Sequence, residues 1–144
     1  MLRPGRRADR GSALILMPAG LLVLLILASV AVDMSLVHMR HRQALDVAAS
    51  AANDAVTAAA DPAQLRRGVY RIEPTEARAV VRRTIAASGL ATHMVGPARV
   101  VVDGANVQVS VTVRAEHLFT GALPGTPDST VVTATASATA VQSE

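Results

Sequence analysis

The sequence of 144 residues contains no cysteine and no tryptophan, and it has a single tyrosine and a single phenylalanine. The absence of cysteine excludes disulfides, a CxxC redox pair, a thiolate metal site and attachment of a lipid to cysteine. The sequence also lacks a glycine-rich phosphate loop, a nucleophile elbow and an HExxH motif. We therefore expect no enzymatic activity, no cofactor, no metal and no small-molecule substrate.

Lysine is absent as well, so all 14 basic residues are arginines. The net charge of +3 comes from the first 12 residues, where Arg3, Arg6, Arg7 and Arg10 outnumber Asp9. In the remainder, ten arginines balance ten acidic residues. The main part of the chain therefore lacks the basic surface that a nucleic-acid partner would need.

An uninterrupted run without charge extends over residues 13–32 and reads ALILMPAGLLVLLILASVAV. As a helix it would be about 30 Å long, which matches the hydrocarbon thickness of a bilayer. The arginines before it follow the positive-inside rule. These features predict a cytoplasmic leader over residues 1–12, a single transmembrane helix over residues 13–32 in the plasma membrane, and an extracytoplasmic remainder. Asp33 marks the outer end of the apolar run and supports this orientation.

The apolar run could instead be a cleaved secretory signal. Ser29, Val30 and Ala31 offer small residues at a cleavage site, and cleavage after Ala31 would release a secreted binding module. The run is longer than the usual 7–15 apolar residues of a signal peptide. Helical signals also continue beyond it, which favours a retained anchor.

Residues 33–60 contain no glycine or proline and are rich in alanine. Five alanines recur at intervals of four and three residues, which places them on one face of a helix. We call them the alanine stripe: Ala44, Ala48, Ala51, Ala55 and Ala58. The pattern predicts a helical stalk. The stripe could cover the protein's own domain or act as a packing seam for a helix of a neighbouring protein.

Residues 61–144 predict a small α+β domain. Pro74 begins a helix whose buried face is Ala77, Val80, Val81, Thr84 and Ile85, and Gly89 ends it. Strands are predicted over residues 99–102, 107–113 and 129–141, with a hairpin at Asp103-Gly104 and a loop over residues 116–128. The fold class is α+β, with a membrane helix that continues outside, a second helix and about three antiparallel strands.

His38 and His41 are three residues apart, a spacing at which two histidines on a helix can bind a metal. No third ligand is evident, so we expect them to lie just beyond the membrane surface.

The segments RGSALILMP and HMRHRQALDVAASAANDAV, with Val-Asp between them, resemble the N-terminal region of TadE/TadG-like proteins of the tight-adherence (Flp) pilus. The resemblance covers roughly residues 10–60. It implies a non-enzymatic, pseudopilin-like or accessory envelope protein of bacteria that packs its helix against other pilus or envelope proteins. The TadE-type processing site has glutamate at the fifth position after glycine, whereas Leu16 occupies that position after Gly11. The chain therefore resembles the TadG type, whose anchor is kept whole.

Overall fold

The computed structural model describes residues 9–59, 66–67, 71–122 and 125–140, with side chains on the first helix described from Leu16 onward. One α-helix, α1, runs without a break from Asp9–Ala58. Its 50 residues correspond to a length of about 75 Å. The apolar run and the alanine-rich segment are therefore two halves of one continuous helix.

The first half of α1 has almost no contact with the rest of the chain. From Leu16 to Val32 nearly every side chain is exposed. The most apolar 18-residue window of this helix has a mean hydropathy of 2.5, and only 6% of it is buried. The helix is thus long and apolar enough to span a bilayer.

The second helix, α2, extends over Pro74–Ala87. Pro74 occupies its first turn, where a missing N–H costs no hydrogen bond, and Glu73 caps it by accepting from the Thr75 N–H at 3.5 Å. Ser88 is the C-cap, and Gly89 follows in the left-handed region with φ of 70°. A short 3₁₀ turn, Leu90–His93, then leads to the sheet.

Three antiparallel strands form one sheet in the order β1-β2-β3. They are β1 (Arg99–Asp103), β2 (Asn106–Glu116) and β3 (Ser129–Thr139). Asp103 pairs with Asn106, so the two hairpin loop residues are Gly104 and Ala105, one position later than Asp103-Gly104. Gly104 has a φ of 59°, which explains glycine in the first loop position. The predicted α+β class, with its long helix, second helix and three strands, is confirmed.

The second half of α1 and α2 pack side by side on one face of the sheet. Residues with alternate spacing on β2 point towards these helices, as expected for a half-buried strand. Thr84 on α2 donates to the Asp54 carboxylate on α1 at 2.8 Å. The buried core comprises Ala44, Ala48, Ala51, Ala52, Ala55, Ala59, Ile72, Ala77, Val80, Val81, Ile85, Leu90, Val107, Val109, Val111, Val113 and Ala134.

The alanine stripe therefore lies largely inside the chain's own domain. Ala44, Ala48, Ala51 and Ala55 have no exposed surface, whereas Ala58 is exposed and Ala59 is buried in its place. Small side chains at these positions let the helix approach the valine face of the sheet closely. The segment predicted as a stalk, residues 33–60, packs against the sheet and α2 and is part of the folded domain as far as Ala59. The domain thus begins at Asp33 instead of residue 61.

The opposite face of the sheet carries mainly hydroxyl and amide side chains. Ser110 pairs with Thr135 at 2.9 Å, and Thr112 pairs with Thr133 at 3.0 Å. Asn106 donates to Thr139 at 2.8 Å. Within the described residues no helix or strand covers this face, so it is an open and mainly polar surface, on which Val101 and Val131 are also exposed.

Candidate functional site

Asp33 is the most unusual polar residue of the domain, because it is ionisable and yet only 3% exposed. It lies at the point where the exposed apolar half of α1 ends and the buried half begins. It occupies the same helix face as the alanine stripe, since residues 33, 37, 41 and 44 follow spacings of four, four and three. The sequence thus places a carboxylate at the first position of the buried face.

Five hydrogen-bond contacts from one short segment, residues 118–120, reach the Asp33 carboxylate. Oδ1 accepts from the Leu118 N–H at 2.9 Å and the Phe119 N–H at 3.2 Å. Oδ2 accepts from the Phe119 N–H at 3.3 Å, the Thr120 N–H at 2.7 Å and the Thr120 hydroxyl at 2.6 Å. The segment lies between β2 and β3, and Thr120–Ala122 forms a single 3₁₀ turn. Asp33 therefore acts as an N-cap supplied from a distant helix.

These donors stabilise the charged form of the carboxyl group. The Thr120 hydroxyl has the largest effect, the three backbone N–H groups add to it, and burial opposes them. Together they lower the pKa of Asp33 from 3.8 to about 2. The group is ionised at neutral pH, and its acceptor positions are occupied. This arrangement suits a structural clamp and leaves no free oxygen for proton transfer.

The base of the β2–β3 loop is fixed independently of Asp33. The His117 N–H donates to the Asp128 carbonyl at 2.9 Å. The imidazole bridges the Pro127 carbonyl at 3.0 Å and the Thr130 hydroxyl at 2.9 Å. The Thr126 hydroxyl donates to the Thr120 carbonyl. These contacts join the two described ends of the loop, residues 117–120 and 126–130.

Two large apolar side chains project from this loop. Leu118 is 66% exposed and Phe119, the only phenylalanine of the chain, is 50% exposed. Their backbone N–H groups bond to Asp33, so both residues lie level with the end of the apolar run on α1. Sequence reasoning assigned this segment to an undifferentiated loop and missed these contacts. The position of Asp33 on the buried face of α1 was the signal that could have indicated hydrogen-bond donors for its carboxylate.

An apolar groove of the domain lies between α2 and β1, with a volume of about 610 Å³. Apolar side chains and the arginines Arg78 and Arg82 dominate its lining. The described residues that line it include no carboxylate and no histidine. The groove therefore combines an apolar lining with two arginines.

The predicted orientation residues other than Asp33 have no described contacts. Arg3, Arg6 and Arg7 lie outside the described residues, and Arg10 lies in α1 but its side chain is not described. His38 and His41 are on α1, and the described part of the chain has no group of three possible metal ligands. The processing positions Gly11 and Ser12 are helical, and their side chains are not described.

Comparisons with protein-family models, with curated proteins and with solved structures find no match to this chain. A function for the protein must therefore be inferred from the Asp33 junction and from the two halves of α1.

Proposed function

We propose that this protein is a single-pass membrane protein that acts as a structural or assembly component of a tight-adherence (Flp) pilus or a related envelope apparatus. Residues 13–32 cross the plasma membrane, the N-terminus is cytoplasmic, and the domain is extracytoplasmic. The bilayer and other envelope proteins are its partners, and it performs no chemistry.

One observation carries this proposal: α1 is exposed and apolar over its first half and buried in the domain over its second half. A helix exposing this much apolar surface is not stable in water but suits lipid. Because the same helix forms a wall of the domain, anchor and domain move together without a flexible linker. Such a rigid connection fits a scaffold that must hold its domain at a fixed height above the membrane.

Contacts with other envelope proteins need surfaces that are free in the folded chain. Ala44, Ala48, Ala51 and Ala55 are fully buried, so a partner helix could reach them only if the domain opened. We therefore assign the partner contacts to the membrane-spanning half of α1 and to the polar outer face of the sheet.

Deletion of the gene in its native host tests the proposal. We expect fewer surface pili by electron microscopy, and restoration by the full chain. A second variant has residues 1–31 replaced by an efficiently cleaved signal peptide, which delivers the domain unanchored. It should fail to restore pili. Normal pili in the deletion strain would overturn the assembly role, and full rescue by the unanchored domain would favour the secreted module released after Ala31.

A further inference from the structure

Leu118 and Phe119 expose their side chains close to Asp33, where the apolar run of α1 ends. Their N–H groups are within 3.3 Å of the Asp33 carboxylate. Asp33 directly follows the apolar run, so the two residues share its level along the helix axis. Two exposed apolar side chains therefore lie on the part of the β2–β3 loop that is bonded to the outer end of the apolar run.

The backbone N–H groups of residues 118–120 need no water to be satisfied. An N–H group that enters the membrane region without a partner is costly, because lipid offers no hydrogen bond in place of water. Here the N–H groups of Leu118, Phe119 and Thr120 are all satisfied by Asp33. The residues that expose apolar side chains are therefore among those whose backbone N–H groups need no water.

Charged groups around the loop limit how deeply it can enter. Glu116 and Asp128 flank the loop and are exposed, and Leu118 shares a small cleft with Arg40 and Glu116. Arg40, the first arginine on α1 after the apolar run, lies seven residues beyond Asp33, about 10 Å along the axis. The polar interface of a bilayer is roughly 5–8 Å thick on each side. Residues 118–119 therefore match the level of the interface and not that of the hydrocarbon centre.

We propose that Leu118 and Phe119 form an interfacial foot that inserts into the headgroup–acyl boundary of the outer leaflet. Leucine and phenylalanine are typical of protein surfaces that lie in this boundary. The foot gives the domain a second point of contact with the bilayer besides α1 and so fixes the tilt of the domain. This inference depends on the proposed membrane anchoring. The partner of the Leu118 and Phe119 surface is the lipid bilayer itself.

Tryptophan fluorescence can test the foot without background, because the chain has no tryptophan. The full chain carrying Phe119→Trp is reconstituted into phosphatidylcholine vesicles with bromine on shallow or deep acyl positions. We expect blue-shifted emission and a loss of intensity that is larger with shallow bromines. Leu118→Trp is a second reporter in case the ring at position 119 disturbs the loop.

Two matched variants make the outcomes separable. Val101→Trp changes an exposed apolar residue on β1, whose partner Gln108 lies eight residues from Glu116, about 26 Å along β2. Its emission should not respond to bromine. Leu24→Trp lies within the apolar run and should be quenched most by deep bromines.

If Leu24→Trp is quenched while both loop reporters behave like Val101→Trp, the foot is refuted and the anchor stands. If Leu24→Trp is not quenched, the anchoring itself is refuted. A response of the loop reporters only when another envelope protein is added would assign the surface to a protein partner and overturn the lipid foot. Each variant is first shown by circular dichroism to unfold with the cooperativity of the unmodified chain.

Discussion

Replacing Ala51 by leucine tests whether the second half of α1 is part of the domain core. Ala51 has no exposed surface and belongs to the same cluster as Val81, Val109 and Val111. Leucine has nearly the helix propensity of alanine, so the change reports packing and not helix formation. It adds three carbon atoms at a site where α1 packs in the core with residues of α2 and the sheet.

The expected loss can be estimated from the packing. Overfilling a packed core costs about 1–3 kcal/mol. In a domain of about 100 residues, each kcal/mol lowers the melting temperature by roughly 4–8 °C, so we expect a decrease of about 5–20 °C. Asn53→Leu is the matched control, because Asn53 is exposed on the same helix. It should change stability by no more than about 0.5 kcal/mol.

The assay is thermal unfolding of the full chain in detergent micelles, followed by far-ultraviolet circular dichroism. The membrane half of α1 should remain helical, so the sheet and the rest of α1 supply the transition. If Ala51→Leu melts like the unmodified chain but loses association with another envelope protein, the alanine stripe faces a partner. In that case our assignment of the stripe to the domain core is wrong.

Three further predictions concern the junction, a turn and the N-terminus. The pKa of Asp33 falls from 3.8 to about 2 on folding, so its contribution to stability is complete above about pH 4 and is lost as the pH falls through about 2. Urea unfolding between about pH 5 and pH 2 should show this loss of stability, and Asp33→Asn should abolish it. If the unfolding free energy of Asp33→Asn depends on pH as steeply as that of the unmodified chain, the clamp is contradicted. Gly89→Ala should cost about 1–2 kcal/mol, because φ is 70° while a Cβ there meets no atom within 4 Å. A melting temperature equal to that of the unmodified chain would show that no strain arises. Leu16 lacks the carboxylate of a prepilin-peptidase site, so N-terminal sequencing of the membrane-bound protein should begin at or near Met1; a start at Ser12 would identify a processed pseudopilin.

The elements of this fold could be predicted because their signals are local. Pro74 and Gly89 bound α2, and alternating valines define β2. The hairpin loop lies one position later than predicted, because Asp103 remains in the strand ladder opposite Asn106. Local rules of this kind depend on neighbours in sequence and were sufficient for the α+β class.

The candidate site could not be predicted, because its two parts are 85 residues apart in sequence. Asp33 interpreted alone is the end of an apolar run, and Leu118 to Thr120 are part of a loop. Only the antiparallel course of α1 and β2 brings the carboxylate to the three backbone donors. The surface that covers the alanine stripe could not be predicted for the same reason, because the strands are distant from it in sequence. Periodicity identifies a buried face of a helix but not the surface that covers it.

The central claim is that α1 crosses the membrane with its first half and holds the domain outside with its second half, which is part of the domain core. The absence of cysteine allows single-thiol variants to report topology directly. We would compare Ser137→Cys, exposed on the outer face of β3, with Arg6→Cys in the leader, using a membrane-impermeant maleimide on spheroplasts. The account predicts that Ser137→Cys is labelled in intact spheroplasts and Arg6→Cys only after permeabilisation. Labelling of Ser137→Cys only after permeabilisation would contradict it.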